Sequence, residues 1–139
     1  MGRTTVKIKV ENIGDIELLE RGYIDESKVR SLEIEALVDT GAGMLCLTPE
    51  LIEKLGLRLL KEINVDTAIG VIKRKVYKNA RLTILDRNCP IDVVEINSSK
   101  HQALVGYIPL EALDLVIDPK AQKVTTNPEH HGEMIIDLL

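Results

Sequence analysis

Short apolar segments separated by turn residues constrain this chain more than any other feature of its sequence. They are rich in Val, Ile and Leu, and the branched residues among these favour strands. Hydrophobic residues make up 45% of the 139 residues, whereas aromatic residues make up only 2%, with no Phe or Trp. The core must therefore be aliphatic. The length favours a single domain, residues 1–139.

Alternating or continuous apolar residues predict the strands and hairpins. Single strands are predicted at 4–10, 15–20, 32–38, 103–106, 115–118 and 123–126. One hairpin is predicted over 63–77 with its tip at 68–70, and another from strands 81–85 and 91–96 joined through 86–90. Residues 22–28 and 97–100 are predicted to be turns. The apolar tail Met134–Leu139 is predicted to be a strand that needs a partner.

Two short helices are predicted among these strands. The first lies within 48–56, with Thr48 as its N-cap, Pro49 at the first helical position and Gly56 as its C-terminal stop. The second covers 109–113, with a proline near its start. Many short strands with two short helices indicate an all-β barrel or sandwich.

Charge and composition exclude several classes of function. The net charge is −4, with acidic and basic residues interspersed, so no basic stripe indicates nucleic-acid binding. No apolar run reaches membrane-spanning length, and the first residues lack the apolar core of a signal peptide. Cys46 and Cys89 have no paired spacing and are interpreted as reduced thiols of the core. A cytoplasmic protein without a membrane partner is expected.

Residues 36–43, Ala-Leu-Val-Asp-Thr-Gly-Ala-Gly, are the most informative run for function. The alternation of strand 32–38 breaks at Leu37, which predicts a strand that becomes buried on both faces just before Asp39. A carboxylate there would be costly unless it were hydrogen-bonded or shared a proton. This arrangement suits acid–base chemistry better than folding.

Three elements in order lead to a family resemblance. They are the run Leu37-Val38-Asp39-Thr40-Gly41-Ala42, the hairpin tip Ala68-Ile69-Gly70, and Leu104-Val105-Gly106 followed by a short helix. Together, over roughly residues 30–125, they resemble the retropepsin-like aspartic proteases, the single-lobed branch of the pepsin clan, and the bacterial and archaeal members in particular. The resemblance implies an acid protease fold, a closed β-barrel with two short helices and one lobe per chain.

The resemblance also implies roles for individual residues. Asp39 would be catalytic, with Thr40, Gly41 and Gly106 as its supports. The residues expected to bind substrate are Ala42, Gly43, Ala68, Ile69, Gly70 and Leu104. Gly43 departs from the viral members, which have an acid there. Water would be the nucleophile, so neither a metal nor an organic cofactor is expected.

The Asp-Thr-Gly motif occurs once, and no Asp-Ser-Gly accompanies it. The family mechanism needs two facing carboxylates, so a second copy of the chain would supply the other one across a two-fold axis. A homodimeric aspartic endopeptidase acting on peptides or proteins is therefore expected. Residues 4–10 and the tail Met134–Leu139 are candidates for an interchain sheet. The alternative is a peptide-binding or assembly module on the same fold with little or no turnover.

Several of these residues also admit simpler interpretations. Gly70 would serve equally in an ordinary hairpin turn, and Ile69 would contact either substrate or the other subunit. Leu104 either lines a substrate pocket or belongs to the core. Asp39 alone could be a turn residue, but the other two elements favour the catalytic interpretation. The three histidines do not have the spacing of a metal site, because His130 and His131 are adjacent and would point to opposite faces of a strand.

Overall fold

A computed structural model of the protein describes residues 3–136. Within these residues the chain forms nine strands, three α-helices and two short 3-10 helices. The strands are β1 Thr5–Asn12, β2 Ser31–Val38, β3 Leu45–Leu47, β4 Arg58–Thr67, β5 Gly70–Ile84, β6 Arg87–Glu95, β7 Ala103–Val105, β8 Leu115–Asp118 and β9 Lys123–Thr126. The helices are α1 Ile13–Glu20, α2 Pro49–Leu55 and α3 Tyr107–Ala112, and the 3-10 helices are Glu26–Lys28 and Pro128–His130.

Six strands close into a barrel. Their order is β1-β2-β7-β3-β6-β5, and β5 pairs back onto β1. Among the described residues β4 pairs only with β5, so the β4–β5 hairpin extends from the barrel rather than forming part of the ring. The predicted all-β fold of the acid protease type is confirmed. The ring closes through Lys9–Asn12 of β1, whereas Thr5–Ile8 pair only with β2 among the described residues.

The barrel interior is aliphatic, as the composition requires. Its fully buried side chains come from strands all around the ring and from the helices that close it: Ile8, Val10, Leu45, Leu47, Leu55, Leu82, Ile84, Val93, Val105 and Leu113. Burying one such side chain contributes roughly 1.5–3 kcal/mol relative to exposure. Aliphatic packing from every strand of the ring therefore stabilises the barrel, and the partly buried Tyr77 packs against this core.

An ion pair reinforces the seam where β5 meets β1. Glu11 and Arg81 are directly opposed in the antiparallel register. Arg81 donates to the Glu11 carboxylate from Nη2 at 2.8 Å and from Nε at 3.1 Å. Glu11 is buried, so this pair satisfies a carboxylate that would otherwise be costly at that position.

Residues 15–20 form a helix, not the predicted strand. The Asn12 side chain accepts a hydrogen bond from the Asp15 amide at 3.1 Å and so caps the N-terminus of α1. The Asp15 carboxylate in turn accepts bonds from the Arg30 backbone amide and guanidinium at 2.8–2.9 Å. The apolar pattern of residues 15–20 is short and fits a helix or a strand, and these tertiary contacts stabilise the helix. The expected number of helices was therefore too low by one.

The other two helices lie close to their predicted positions. Gly56 ends α2 with a φ of +64°, as its assignment as a C-terminal stop requires. Thr48 precedes α2, but its side chain makes no capping bond. α3 begins at Tyr107, two residues before the predicted start, with Pro109 at its third position.

The second hairpin has a much tighter turn than predicted. β5 and β6 are joined by Leu85 and Asp86, both at positive φ, so the predicted loop 86–90 is strand from Arg87 onward. Pro90 pairs with Arg81 on β5, whereas β3 pairs with β6 only from Val93. One side of β6 is therefore free at Pro90, where a missing N–H is tolerated.

The two segments expected to form an interchain sheet differ in how they are paired. Lys9 and Val10 pair with β2 on one side and β5 on the other, whereas Thr5–Ile8 pair only with β2 among the described residues, so this part of the segment keeps one strand edge without a partner. Residues 134–136 are irregular rather than strand, and residues 137–139 of the predicted tail strand lie outside the described residues.

Asp114 fastens this C-terminal segment to the barrel. Its Oδ2 accepts the Ile135 amide at 2.9 Å and lies 2.5 Å from Nδ1 of His130. Nearby, Arg87 donates to the carbonyl oxygens of Leu113, Asp114 and Gly132 at 2.9–3.0 Å. The Ile135 amide and then His130 lower the pKa of the Asp114 carboxyl below its ordinary value of 3.8.

Asp114→Asn should loosen residues 127–136 without unfolding the barrel. Asparagine tolerates the left-handed backbone of this position (φ +54°) but lacks the charge that the two contacts stabilise. We expect roughly tenfold faster amide exchange in this segment, measured by hydrogen–deuterium exchange, with barrel strands unchanged. Because the folded pKa is lowered, the contribution of Asp114 is present above pH 3.8 and is lost as pH falls through the folded value. Glu111→Gln is the control. Equal amide exchange of residues 127–136 in both variants would contradict the attachment of this segment by Asp114.

Candidate active site

A crossover loop between two strands that are not neighbours forms the centre of the candidate site. β2 and β3 are consecutive in sequence, but β7 lies between them, parallel to β2 and antiparallel to β3. The chain from Asp39 to Met44 must therefore pass over the end of β7. Asp39 follows β2 directly, and its amide donates to the Val105 carbonyl oxygen at 2.9 Å.

Backbone amides hold the Asp39 loop in a compact turn. The Gly41 amide donates to Asp39 Oδ1 at 3.0 Å, and the Ala42 amide donates to the Asp39 carbonyl oxygen at 3.0 Å. A Cβ on Gly41 would lie 3.3 Å from Asp39 Oδ1, so glycine lets the backbone approach the carboxylate closely. One carboxylate oxygen is thus fixed by the chain's own backbone.

The carboxylate is more exposed than the sequence predicts. Leu37 and Val38 are half-buried rather than fully enclosed, and Asp39 and Thr40 are exposed. The expectation of a strand buried on both faces before Asp39 was wrong for the single chain. The reason is that strand β2 ends at the rim of the barrel, where its last side chains lie beside open solvent. Asp39 therefore remains hydrated within one chain.

Gly106 lies directly behind this loop, against the backbone of Gly43. A Cβ on Gly106 would be 2.3 Å from the Gly43 carbonyl carbon, a distance that no side chain can occupy. The Gly106 amide donates to the Met44 carbonyl oxygen at 2.8 Å, and the Ile108 amide donates to that of Gly43 at 2.9 Å. Gly43 itself has a φ of +80°, which explains a glycine at that position. Contact between two glycines therefore fixes the loop on β7 and α3.

A cleft of about 510 Å³ separates the loop from the β4–β5 hairpin. The loop and the barrel strands form one wall, and the hairpin forms the other. Most of its lining is aliphatic, and the residues are Gly41, Ala42, Met44, Cys46, Ile63, Asn64, Val65, Asp66, Thr67, Ile72, Arg74, Val94, Ile96 and Leu104. Such a cleft accommodates apolar side chains of an extended ligand.

The residues expected to bind substrate separate into three groups. Ala42 and Leu104 line the cleft, together with Gly41. Gly43 belongs to the loop but does not line the cleft, and its backbone packs against Gly106 instead. The tip residues Ala68, Ile69 and Gly70 do not line the cleft in the single chain, and the Ile69 side chain is 92% exposed.

Sequence reasoning missed most of the cleft wall. The missed residues are Met44, Cys46, Ile63, Asn64, Val65, Asp66, Thr67, Ile72, Arg74, Val94 and Ile96. The alternation of Ile63, Val65 and Thr67 along β4 was the available signal, since it places these side chains on one face of the hairpin. The prediction covered the tip of the hairpin but not the side chains on the faces of its strands.

Cys46 is a buried thiol within reach of the Asp39 charge. Burial and, to a smaller extent, the negative charge of Asp39 together raise the pKa of the Cys46 thiol from 9.0 to about 11. The thiol is therefore protonated at neutral pH. Asp39 lies at the edge of the cleft that Cys46 lines, because Gly41, whose amide donates to Asp39 Oδ1, is part of the same lining.

His101 and His130 contact different partners in the fold. His101 Nε2 is 3.2 Å from an Arg3 guanidinium nitrogen, and His130 contacts Asp114. Within residues 3–136 no three His, Cys, Asp or Glu side chains come together as a potential metal site. None of the helices in the described part of the chain is long and apolar enough to span a membrane.

Comparison with known proteins identifies the class of this chain. A family model described as aspartyl protease matches residues 25–108, which include the Asp39 loop, the β4–β5 hairpin and Gly106. The chain belongs to the aspartyl protease family. Membership supports an aspartic protease function in general, which acts on peptides. No curated protein matches the chain.

Gly106→Ala should disrupt the loop that holds Asp39. The new Cβ would overlap the Gly43 backbone, so we expect the free energy of unfolding to fall by about 3 kcal/mol or more, measured by urea denaturation. Gly14→Ala in α1 is the control, because its Cβ would meet only a side-chain oxygen of Asn12 at 3.2 Å. Its effect should stay within about 1 kcal/mol. Equal stability of the two variants would contradict the close contact.

The proximity of Cys46 and Asp39 is testable by thiol alkylation. The rate of modification of Cys46, followed by mass spectrometry, should rise with a midpoint at about pH 11. Asp39→Asn should move this midpoint to lower pH, because it removes a negative charge that opposes the thiolate. Asp118→Asn, a change outside the cleft lining, should leave it in place. A midpoint near 9.0 in the native protein would contradict the burial of the thiol.

Proposed function

We propose that the protein is a homodimeric aspartic endopeptidase in which Asp39 of each subunit supplies one carboxylate. The observation on which this depends is the position of Asp39. It is exposed at the end of β2, beside a cleft, and it belongs to the sole Asp-Thr-Gly of the sequence. One chain thus has half of an acid–base pair.

Two facing carboxylates would act as a unit. Like charges about 3 Å apart do not both ionise, so the pair shares one proton and titrates together. The ionised member takes a proton from a bound water, which attacks the peptide carbonyl carbon, while the protonated member donates to the carbonyl oxygen. Proton return to the leaving nitrogen then releases the two peptide fragments, with no metal or organic cofactor.

The supporting roles follow from the loop geometry. The Gly41 amide fixes Asp39 Oδ1 and leaves the second oxygen for the partner and the water. Thr40, exposed in one chain, would hydrogen-bond across the two-fold axis. Ala42 and Leu104 would contact substrate in the cleft, whereas Gly43 and Gly106 would keep the loop in place from behind.

The β4–β5 hairpin would cover the bound peptide. Its strands already form one wall of the cleft, and its tip, Ala68-Ile69-Gly70, extends beyond the barrel. Ile69, 92% exposed, would be covered by substrate or by the other subunit after assembly. The apolar side chains of Tyr107, Ile108 and Ile136, which are also exposed, offer further area for the dimer.

Thr5–Ile8 of β1, which pair only with β2 among the described residues, and the tail beginning at Met134 are the candidates for contact between subunits. Two free cysteines favour a reducing compartment such as the cytoplasm.

Asp39→Asn should abolish peptide hydrolysis and leave a folded dimer. Wild type and variant are compared by digestion of a peptide library and by sedimentation. Asp118→Asn is a matched control, because Asp118 lies at the end of strand β8 and its Oδ1 accepts the amide of Lys120, two residues on, at 3.0 Å. It should retain activity. Hydrolysis by Asp39→Asn at the wild-type rate would refute the assignment.

A site shared between two subunits also predicts how the same variants behave when they are mixed with wild type. Co-refolding wild type with excess Asp39→Asn chains should suppress activity, because most wild-type chains then pair with an inactive partner. Excess Asp118→Asn should not suppress it. Activity in a species that sediments as a monomer would refute the proposal that each chain supplies only half of the site. A dimer that binds extended peptides but cleaves none between pH 4 and 7 would instead establish the peptide-binding module.

A further inference from the structure

Arg74 stands out in the cleft as a cation among aliphatic side chains. It lies on β5 opposite Ile63 of β4, two residues before Val76, where β5 begins to pair with β6. This is the base of the hairpin, at the point where it leaves the barrel. Arg74 is half-buried and forms part of the cleft lining.

The strand alternation distinguishes Arg74 from its basic neighbours. Ile72, Arg74 and Val76 share the face of β5 that is turned toward the cleft and the core, and Val76 is fully buried there. Lys73 and Lys75 lie on the opposite face and are exposed, and Lys75 is opposite Glu62 in the register. Exposure to solvent on the outer face accounts for the charges of Lys73 and Lys75. It does not account for a charge at Arg74, which lies on the inner face.

Arg74 also differs from the arginines that stabilise the fold. Arg30 bonds to Asp15, Arg81 to Glu11 and Arg87 to three carbonyl oxygens. Within residues 3–136, Arg74 has no carboxylate within 4.0 Å, and its one side-chain bond is a long contact of 3.5 Å with the carbonyl oxygen of Lys73. Its guanidinium is therefore available to a ligand.

We infer that Arg74 determines specificity by binding a carboxylate of the substrate, so that the enzyme prefers peptides with Asp or Glu near an apolar cleavage site. This inference rests on the proposed function. A guanidinium matches a carboxylate with two parallel hydrogen bonds, and a partly desolvated cleft strengthens them. The aliphatic remainder of the lining takes the apolar side chains that flank the acidic one.

The other charged residue of the lining determines where the acidic side chain binds. Asp66 is opposite Val71 near the hairpin tip, three register pairs from Arg74. At 3.4 Å per residue these pairs are about 10 Å apart along the strand. The carboxylate therefore binds at the base of the hairpin, away from Asp66, and one particular peptide position should show the preference.

The test uses peptides with one apolar cleavage site and Glu, Gln or Lys placed in turn at each flanking position. For the wild type, we expect one position at which Glu exceeds Gln in kcat/KM by about tenfold, the factor that corresponds to 1.4 kcal/mol. Arg74→Gln should reduce this ratio to near one, and Arg74→Glu should favour Lys at the same position. Lys73→Gln, on the outer face of the same strand, should keep the wild-type ratio. A purely structural role for Arg74 would not reverse the preferred charge.

The outcomes separate this inference from the proposed function. Cleavage of Glu and Gln peptides at equal rates at every position would overturn the role of Arg74 and leave the endopeptidase intact. Absence of any cleavage would refute the endopeptidase. In that case the affinities of the same peptides for wild type and Arg74→Gln, measured by calorimetry, decide the role of Arg74. A Glu preference that disappears in the variant supports it, and equal affinities overturn it.

Discussion

The contact between the backbones of Gly43 and Gly106 is the constraint on which the candidate site depends. It lets the chain cross over the end of β7, so that β2 and β3 can flank a strand that comes much later in the sequence. Without this contact, the loop would be displaced away from the barrel. The hydrogen bond from the Asp39 amide to the Val105 carbonyl oxygen would then no longer fix the position of Asp39. The close packing of these two backbones therefore determines where the Asp39 carboxylate lies.

The sequence was sufficient for features that depend on local pattern. Alternation located β1 and β2, and proline and glycine signals located α2. It failed where distant residues decide the structure. α1 is a helix because Asn12 caps it and Arg30 bonds to Asp15, and neither contact can be seen in the periodicity of residues 15–20. The tight turn at Leu85-Asp86 was missed because Pro90 suggested a loop rather than an unpaired edge.

The candidate site was predictable to a similar degree. The motif around Asp39 was visible because it depends on short-range chemistry. The supporting role of Gly106 was implied by the family resemblance, since its contact with Gly43 joins distant parts of the chain. The cleft wall was not, because Met44, Ile63 and Ile96 come together only when the hairpin folds over β3 and β6. The exposure of Asp39 was also unforeseen, since it depends on where β2 ends relative to the barrel rim.

The attachment of the β4–β5 hairpin has a consequence for the evolution of this protein. Because β4 pairs only with β5, side chains such as Ile63, Val65 and Arg74 lie outside the ring that contains the main core. Mutations there alter the cleft at little cost to the folding of the barrel. Selection can therefore diversify what related chains recognise while the loop and its two packed glycines stay unchanged.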